Sequence, residues 1–211
     1  MAIDDYDFLP LKVETDIKPF KSKDSDLNGF LLDDAKRYLT ELMAVTYLLE
    51  DRVTGVTVAY FSLLNDKITF DPEQRSIWNR LSRRIANPKR RKHYPAVKVG
   101  RLAISEAHAG QGLGRDIIRL VKFMFTHGNR TGCRFITVDA YQNAVSFYQK
   151  CGFFTNDYHH IHPAYRKEFE GHSLIVLSSK RKITKTEYDL FVTTPLIFVP
   201  ARLRSTTSEN F

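Results

Sequence analysis

The sequence predicts an α/β protein built on one mixed sheet, and three observations carry that expectation. VTYLLE and VTVAYFSLL, rich in β-branched and aromatic residues, flank DRVTG with Gly55, which is the pattern of an antiparallel hairpin. AVKVGRLAI (96–104) runs through a glycine turn into an amphipathic helix, and FITVDA (135–140) runs into NAVSFYQKCGF (143–153) and then SLIVLSS. A hairpin combined with strand–helix–strand crossovers requires antiparallel and parallel pairing in the same sheet.

Taken in order, LKVET (11–15) alternates weakly and is the first candidate strand. DSDLNGFLLDDAKRYLTELM then places Leu27, Phe30, Leu31, Ala35, Tyr38, Leu39 and Leu42 at helical spacing, with Ser25 or Asp26 as N-cap. After the hairpin, DPEQRSIWNRLSRRIANP reads as a short helix. Asp71 caps it, Pro72 suits its first position, Ile77, Trp78, Leu81 and Ile85 form its stripe, and Asn87-Pro88 ends it. Gly100 marks a bulge in the strand 96–104. Leu113, Ile117, Val121 and Met124 or Phe125 give the next helix its apolar face. Gly152 terminates the helix that begins at Asn143.

At 211 residues the chain is long enough for one sizeable core. No internal repeat or low-complexity linker interrupts it. We expect one domain over 1–180 and a C-terminal extension over 181–211, packed on the same domain. No run approaches the ~20 apolar residues of a transmembrane helix, and MAIDDYDFLP lacks a signal-peptide core. Cys133 and Cys151 are too few for a disulfide framework. These features point to a cytoplasmic protein with no membrane partner.

The stretch RLAISEAHAGQGLGRDII carries the strongest chemical signal. It fails as a dinucleotide fingerprint, because the third glycine would fall at Arg115, and as a Walker loop, because no Gly-Lys-Ser/Thr follows. What remains is a strand end, a glycine curl and a helix start. Free N–H groups and the positive end of a helix dipole then converge on one spot, which suits a diphosphate. A plain tight turn would show the same glycines.

This stretch resembles the central motif of the GNAT acetyltransferases, Gln or Arg, two residues, Gly, one residue, then Gly or Ala. Ala109, Gly112 and Gly114 fall on those positions, with Ala109 departing from the first. Gly114 is followed 29 residues later by NAVSFYQKCGF, which resembles the family's N-x-x-A-x-x-x-Y…GF helix. The resemblance covers 97–154. It implies the GNAT acyl-CoA N-acyltransferase fold, a mixed central sheet with helices on both faces, and acetyl-CoA as cosubstrate without a metal. It further implies that Ala109, Gly110, Gln111, Gly112, Leu113, Gly114 and Arg115 hold the pyrophosphate. Leu102, Ala103 and Ile104 would pair with the pantetheine arm like an added strand.

By the same resemblance Tyr148 protonates the leaving thiolate, and Asn143 contacts the cofactor arm. Proton transfer from a phenol near ~10 to a thiolate near ~8.5 is uphill by only ~2 kcal/mol. Tyr148 read as a helix residue alone belongs to the core, and Asn143 alone is a helix N-cap. A backbone N–H near Ile104 would polarise the carbonyl. Glu106 is the first choice of general base, and Asp139 is the other carboxylate on the acceptor side. An α-amine near ~7.7 barely needs a base, whereas a lysine near ~10.4 does. His159, His160 and His162 lack a Cys or acidic partner at ligand spacing, so no metal site is expected.

The net charge of +8 is concentrated. From Arg75 to Arg101 there are ten Lys or Arg and no Asp or Glu, which leaves −2 for the rest of the chain. Arg83, Arg84, Lys89, Arg90, Arg91 and Lys92 therefore read either as solvated surface or as a footprint for an anionic acceptor. The L-x-x-F-L…A-x-x-Y shape of the first helix resembles the toxin-type GNATs that acetylate aminoacyl-tRNA. That resemblance implies tRNA as acceptor, an antitoxin protein as partner, and a possible homodimer. A protein or small-molecule amine acceptor, or a non-catalytic nucleic-acid-binding module on the same fold, are the alternatives.

Overall fold

The computed structural model describes residues 5–70, 72, 75–82, 92–126, 131–156 and 172–178. All lie in the unit Met1–Ser179; the remaining unit, Lys180–Phe211, and the expected packing of its extension lie outside the described residues.

The described strands form one sheet in the order β1-β2-β3-β4-β5-β7-β6. They are β1 (Tyr6–Pro10), β2 (Val45–Asp51), β3 (Thr57–Thr69), β4 (His93–Ile104), β5 (Phe135–Tyr141), β6 (Phe154–Asn156) and β7 (His172–Ser178). Pairing is antiparallel throughout except between β4 and β5, so the sheet is mixed, as expected. The first strand lies earlier than the sequence suggests. Residues 12–15 close a turn instead, with Lys12 N–H donating to Thr15 Oγ1 at 2.9 Å. Tyr6 is buried and Phe8 stacks on Tyr47 and Phe61, while Pro10 sits on an edge strand where its missing N–H does no harm.

The first helix is α1 (Ser25–Gly29), a π-helical turn (Phe30–Asp34) and α2 (Ala35–Thr40) in succession. Its N-cap is Asp24, one residue before the expected positions. The extended Asp24 accepts from Asp26 N–H at 2.9 Å and Leu27 N–H at 3.3 Å. Phe30, Leu31 and Ala35 are buried, but Leu42 is not on the stripe. The helix ends at Thr40, and Leu42 stands exposed with φ 56. The hairpin turn is held by Asp51, whose Oδ1 accepts from the N–H groups of Val53 and Thr54.

Helices cover both faces. The 14-residue α4 (Leu113–Thr126) and α5 (Val145–Lys150) bury Leu113, Ile117, Val121, Val145 and Tyr148 against Val97, Val99, Ile136 and Val138. On the other face, α1, the π-turn and α2 pack Phe30, Leu31 and Ala35 on Leu48, Tyr60 and Ala103. Further along that face, α3 (Arg75–Ser82) packs Trp78 on Tyr94, Ile68 and Phe135. The expected cap Asp71 and the residues Ile85 and Pro88 lie outside the described residues. Among the described residues no helix is long and apolar enough to cross a membrane.

Candidate active site

The feature that organises the site is a fork in the sheet. β4 and β5 pair in parallel only from Ala96–Phe135 to Val99–Val138, yet β4 continues to Ile104 and β5 to Tyr141. The cause is visible in the β3–β4 register: Leu63 faces Val99 and Ser62 faces Arg101, so Gly100 has no partner. That is the expected bulge, and it turns β4 away from β5. Leu64 reaches into the space where a Cβ on Gly100 would stand, which a larger residue would have to displace. Beyond the bulge Leu102, Ala103 and Ile104 keep their bonds to β3 and, among the described residues, have no strand on their other side.

The glycine turn follows at the open end. Gly110 (φ 80) and Gly112 (φ 89) are left-handed, and a Cβ on either would meet no protein atom within 4 Å. Their conformation demands glycine while their surroundings are open, the pattern of backbone left clear for a ligand. Gly114 is different. Its Cβ would stand 3.2 Å from Phe147, so it is there for α4 to sit close on α5. Ala109 N–H turns to Glu106 O at 3.4 Å and Arg115 N–H to Gly112 O at 2.9 Å. The N–H groups of Gly110 through Gly114 have no acceptor among the described residues. The free donors are thus a narrower set than 109–115, and they suit a diphosphate at a helix start.

Tyr148 is 7% exposed, with its ring set edge-on between Phe147 and Phe153 at 4.9 and 5.4 Å. It shares a cluster with Leu113 of the turn, with Val99 and Val138 of the last paired rung, and with Leu102 and Ile104 on the free edge. Its core packing is therefore satisfied, within a cluster that extends to the fork. Burial pushes the phenol well above its ordinary range, with the neighbouring Cys151 adding to it, so the group stays protonated. Asn143 is exposed and is not the cap of α5. Ala144 occupies that position without a side-chain bond, which leaves the Asn143 amide available.

The two carboxylates both stand in ion pairs. Glu106 lies on a 3-10 turn (Glu106–His108) before the glycines, 3.3 Å from Lys21, and its N–H donates to Lys21 O. Asp139 is the first β5 residue past the fork and bonds Lys98 at 2.8 Å. It belongs to the face covered by α1–α2 and α3, on a strip between them that also holds Asp66, hydrogen-bonded by Thr137, and Arg101. Along the sequence Lys98 and Arg101 are simply members of the basic run from Arg75 to Arg101. Only the register shows that they flank the fork. Of the expected acceptor patch, Arg83, Arg84, Lys89, Arg90 and Arg91 lie outside the described residues, as do His159, His160 and His162; Lys92 is exposed. Among the described residues no group of three or more His, Cys, Asp or Glu could hold a metal.

Residues 82–154, which hold the bulged strand, the parallel neighbour that departs from it and the glycine-rich helix start, match the GNAT acetyltransferase domain, and that match supports an acetyl-CoA-dependent N-acetyltransferase. No curated protein matches the chain by sequence. Its fold is similar to the toxin AtaT solved with acetyl-methionyl-tRNAfMet, at TM-score 0.65 and 19% identity over 83% of this chain and 96% of that one. It is also similar to an AtaT mutant bound to the C-terminus of the antitoxin AtaR and acetyl-CoA, at TM-score 0.61 and 20% identity over 83% and 94% of the two chains. A KacTA–DNA complex matches at TM-score 0.57 and 21% identity over 88% and 99%.

Proposed function

We propose that the protein transfers the acetyl group of acetyl-CoA to the α-amine of an aminoacyl-tRNA. The observation that carries the proposal is the fork, with free N–H groups at its open end, a buried protonated tyrosine on one face and a charged strip on the other.

In this reading the N–H groups of Gly110 to Gly114 bind the pyrophosphate, with Ala109 and Arg115 flanking them. The free edge of Leu102, Ala103 and Ile104 aligns the pantetheine arm, and Asn143 steadies it from the opposite lip. A β4 N–H near Ile104 donates to the carbonyl oxygen as negative charge develops there. The acceptor nitrogen forms the new N–C bond as the C–S bond breaks. Tyr148 then hands its proton to the leaving sulfur and recovers one from solvent. Because burial holds that proton tightly, hydrogen bonding to the sulfur precedes transfer. The proton lost by the acceptor nitrogen passes to water, or to Glu106 or Asp139 as base. An α-amine near ~7.7 is substantially neutral at pH 7, so this last step asks little of either carboxylate.

Two further observations support this acceptor. The segment Arg75 to Arg101 is basic without an acidic residue, and AtaT has been solved with acetyl-methionyl-tRNAfMet. The same likeness supports an antitoxin partner, as AtaT has in AtaR, and a cytoplasmic setting where charged tRNA is found. The test is thiol release from acetyl-CoA with aminoacyl-tRNA, with recovery of N-acetylated amino acid after deacylation. Turnover of protein or small-molecule amines without turnover of aminoacyl-tRNA would reject this acceptor.

A further inference from the structure

The strip between α1–α2 and α3 holds a cation with an unfinished set of bonds. Arg101 stands on β4 directly after the bulge, at the lip of the fork. Its guanidinium lies 5.0 Å from the centre of the Phe30 ring, and Nη1 donates back to the Gly100 carbonyl at 3.1 Å. That leaves the edge formed by Nε and Nη2, the edge that takes two parallel bonds from an oxyanion. Nε is buried with no hydrogen-bond acceptor among the described residues. The nearest carboxylate, Asp26, stands off at 4.0 Å and is itself largely exposed.

Structural arginines complete their bonds, because an unmet buried donor is unfavourable. Arg101 leaves its planar edge open while 37% of the side chain remains exposed to an incoming group. Its neighbours on the strip do not behave this way. Lys98 is bonded by Asp139, and Asp66 by Thr137. The Phe30 ring holds the guanidinium by a cation–π contact that uses none of its donors, so the charge is positioned before a ligand arrives.

We propose that Arg101 is the residue that recognises the acceptor, binding a phosphate of the nucleotide that carries the aminoacyl group and so bringing the amine to the fork. Asp26 is the internal anion it gives up. This rests on the acceptor reading above, and the test separates the two.

Two probes suffice, an aminoacyl-adenosine with a 5′-phosphate and the same compound without it. Arg101→Gln is expected to raise KM for the phosphorylated probe at least tenfold, and to leave unchanged the KM of the other probe and the affinity for acetyl-CoA. Arg101→Lys should recover part of the loss, because it restores charge without the planar edge. Asp26→Asn should lower KM for the phosphorylated probe. If wild-type protein acetylates neither probe nor aminoacyl-tRNA, the acceptor reading fails and takes this ligand with it. If wild type uses both probes and Arg101→Gln weakens them equally, or weakens acetyl-CoA binding, Arg101 is structural and only this assignment falls. A loss confined to acceptors bearing a carboxylate, with the phosphorylated probe unaffected, would likewise overturn it.

Discussion

Lys98 Nζ bonds Asp139 Oδ2 at 2.8 Å across the last rung before β4 and β5 part, so a single ion pair spans the root of the fork. Burial alone would lower the Lys98 ammonium; the hydrogen bond and charge of Asp139, with the charge of Asp66, outweigh it and raise it. While Asp139 is ionised, the lysine's share of this stability is fully present below the ordinary lysine range and is lost as pH rises through the raised value. Asp139→Asn leaves a half-buried ammonium without its partner. We expect a loss of about 1 kcal/mol, read as a Tm shift of several degrees near neutral pH. Should aminoacyl-tRNA be the acceptor, kcat of Asp139→Asn and of Glu106→Gln should each stay within about tenfold of wild type, because an α-amine needs little help to lose its proton. A thousandfold loss in either variant would identify a required base and argue for a lysine-like acceptor.

Tyr148→Phe should reduce kcat by roughly 10²–10⁴ while acetyl-CoA affinity, measured by calorimetry, stays put. An unchanged kcat at saturating substrate would confine Tyr148 to the core.

The same burial has a pH signature. Desolvation raises the phenols of both Tyr148 and Tyr60. Their neutral forms are favoured in the folded state, so below pH ~10 neither makes stability depend on pH. Above it the unfolded chain releases these protons first, and stability should fall by up to about 1.4 kcal/mol per pH unit for each tyrosine. Denaturant melts at pH 9 and 11 check this. Tyr148→Phe should lessen the loss, and an equal loss in the variant would count against the buried phenol.

The two kinds of glycine in the turn should separate cleanly. Gly112→Val forces a β-branched residue into φ 89 at the proposed phosphate cradle, and should weaken acetyl-CoA binding sharply with a secondary loss of stability. Gly114→Ala presses on Phe147 from 3.2 Å and should lower Tm first, with binding affected less. Wild-type affinity in Gly112→Val would reject the phosphate cradle.

Binding of tRNA should weaken steeply with salt, by about 0.7–0.9 log units per log unit of salt for each phosphate contact. Arg90→Ala with Arg91→Ala should flatten that slope by about two and leave acetyl-CoA binding alone. Retention of the full slope would make the basic run plain surface.

By itself the sequence determined what depends on neighbours along the chain. The hairpin around Gly55, the glycine turn at 110–114 and the helix holding Tyr148 are local patterns, set by β-branching, by φ-permissive glycine and by helical spacing. Even the bulge at Gly100 could be read, because a glycine inside a strand signals an irregular backbone. Short-range competition accounts for the misplacements: Asp24 capped the first helix ahead of Ser25, and the Lys12–Thr15 turn displaced the first strand toward Tyr6. The tertiary structure decided what depends on strands far apart in sequence. A bulge has no direction until β3 fixes one side of β4 and β5 leaves the other, and only then does a fork exist. Lys98 and Asp139, 41 residues apart, became an ion pair because the sheet brought their strands together, and Arg101 and Phe30 a cation–π pair because the first helix packs on that face. Charge spacing along a chain carries no information about such pairs, since register between strands is settled by the packing of the whole sheet against its helices.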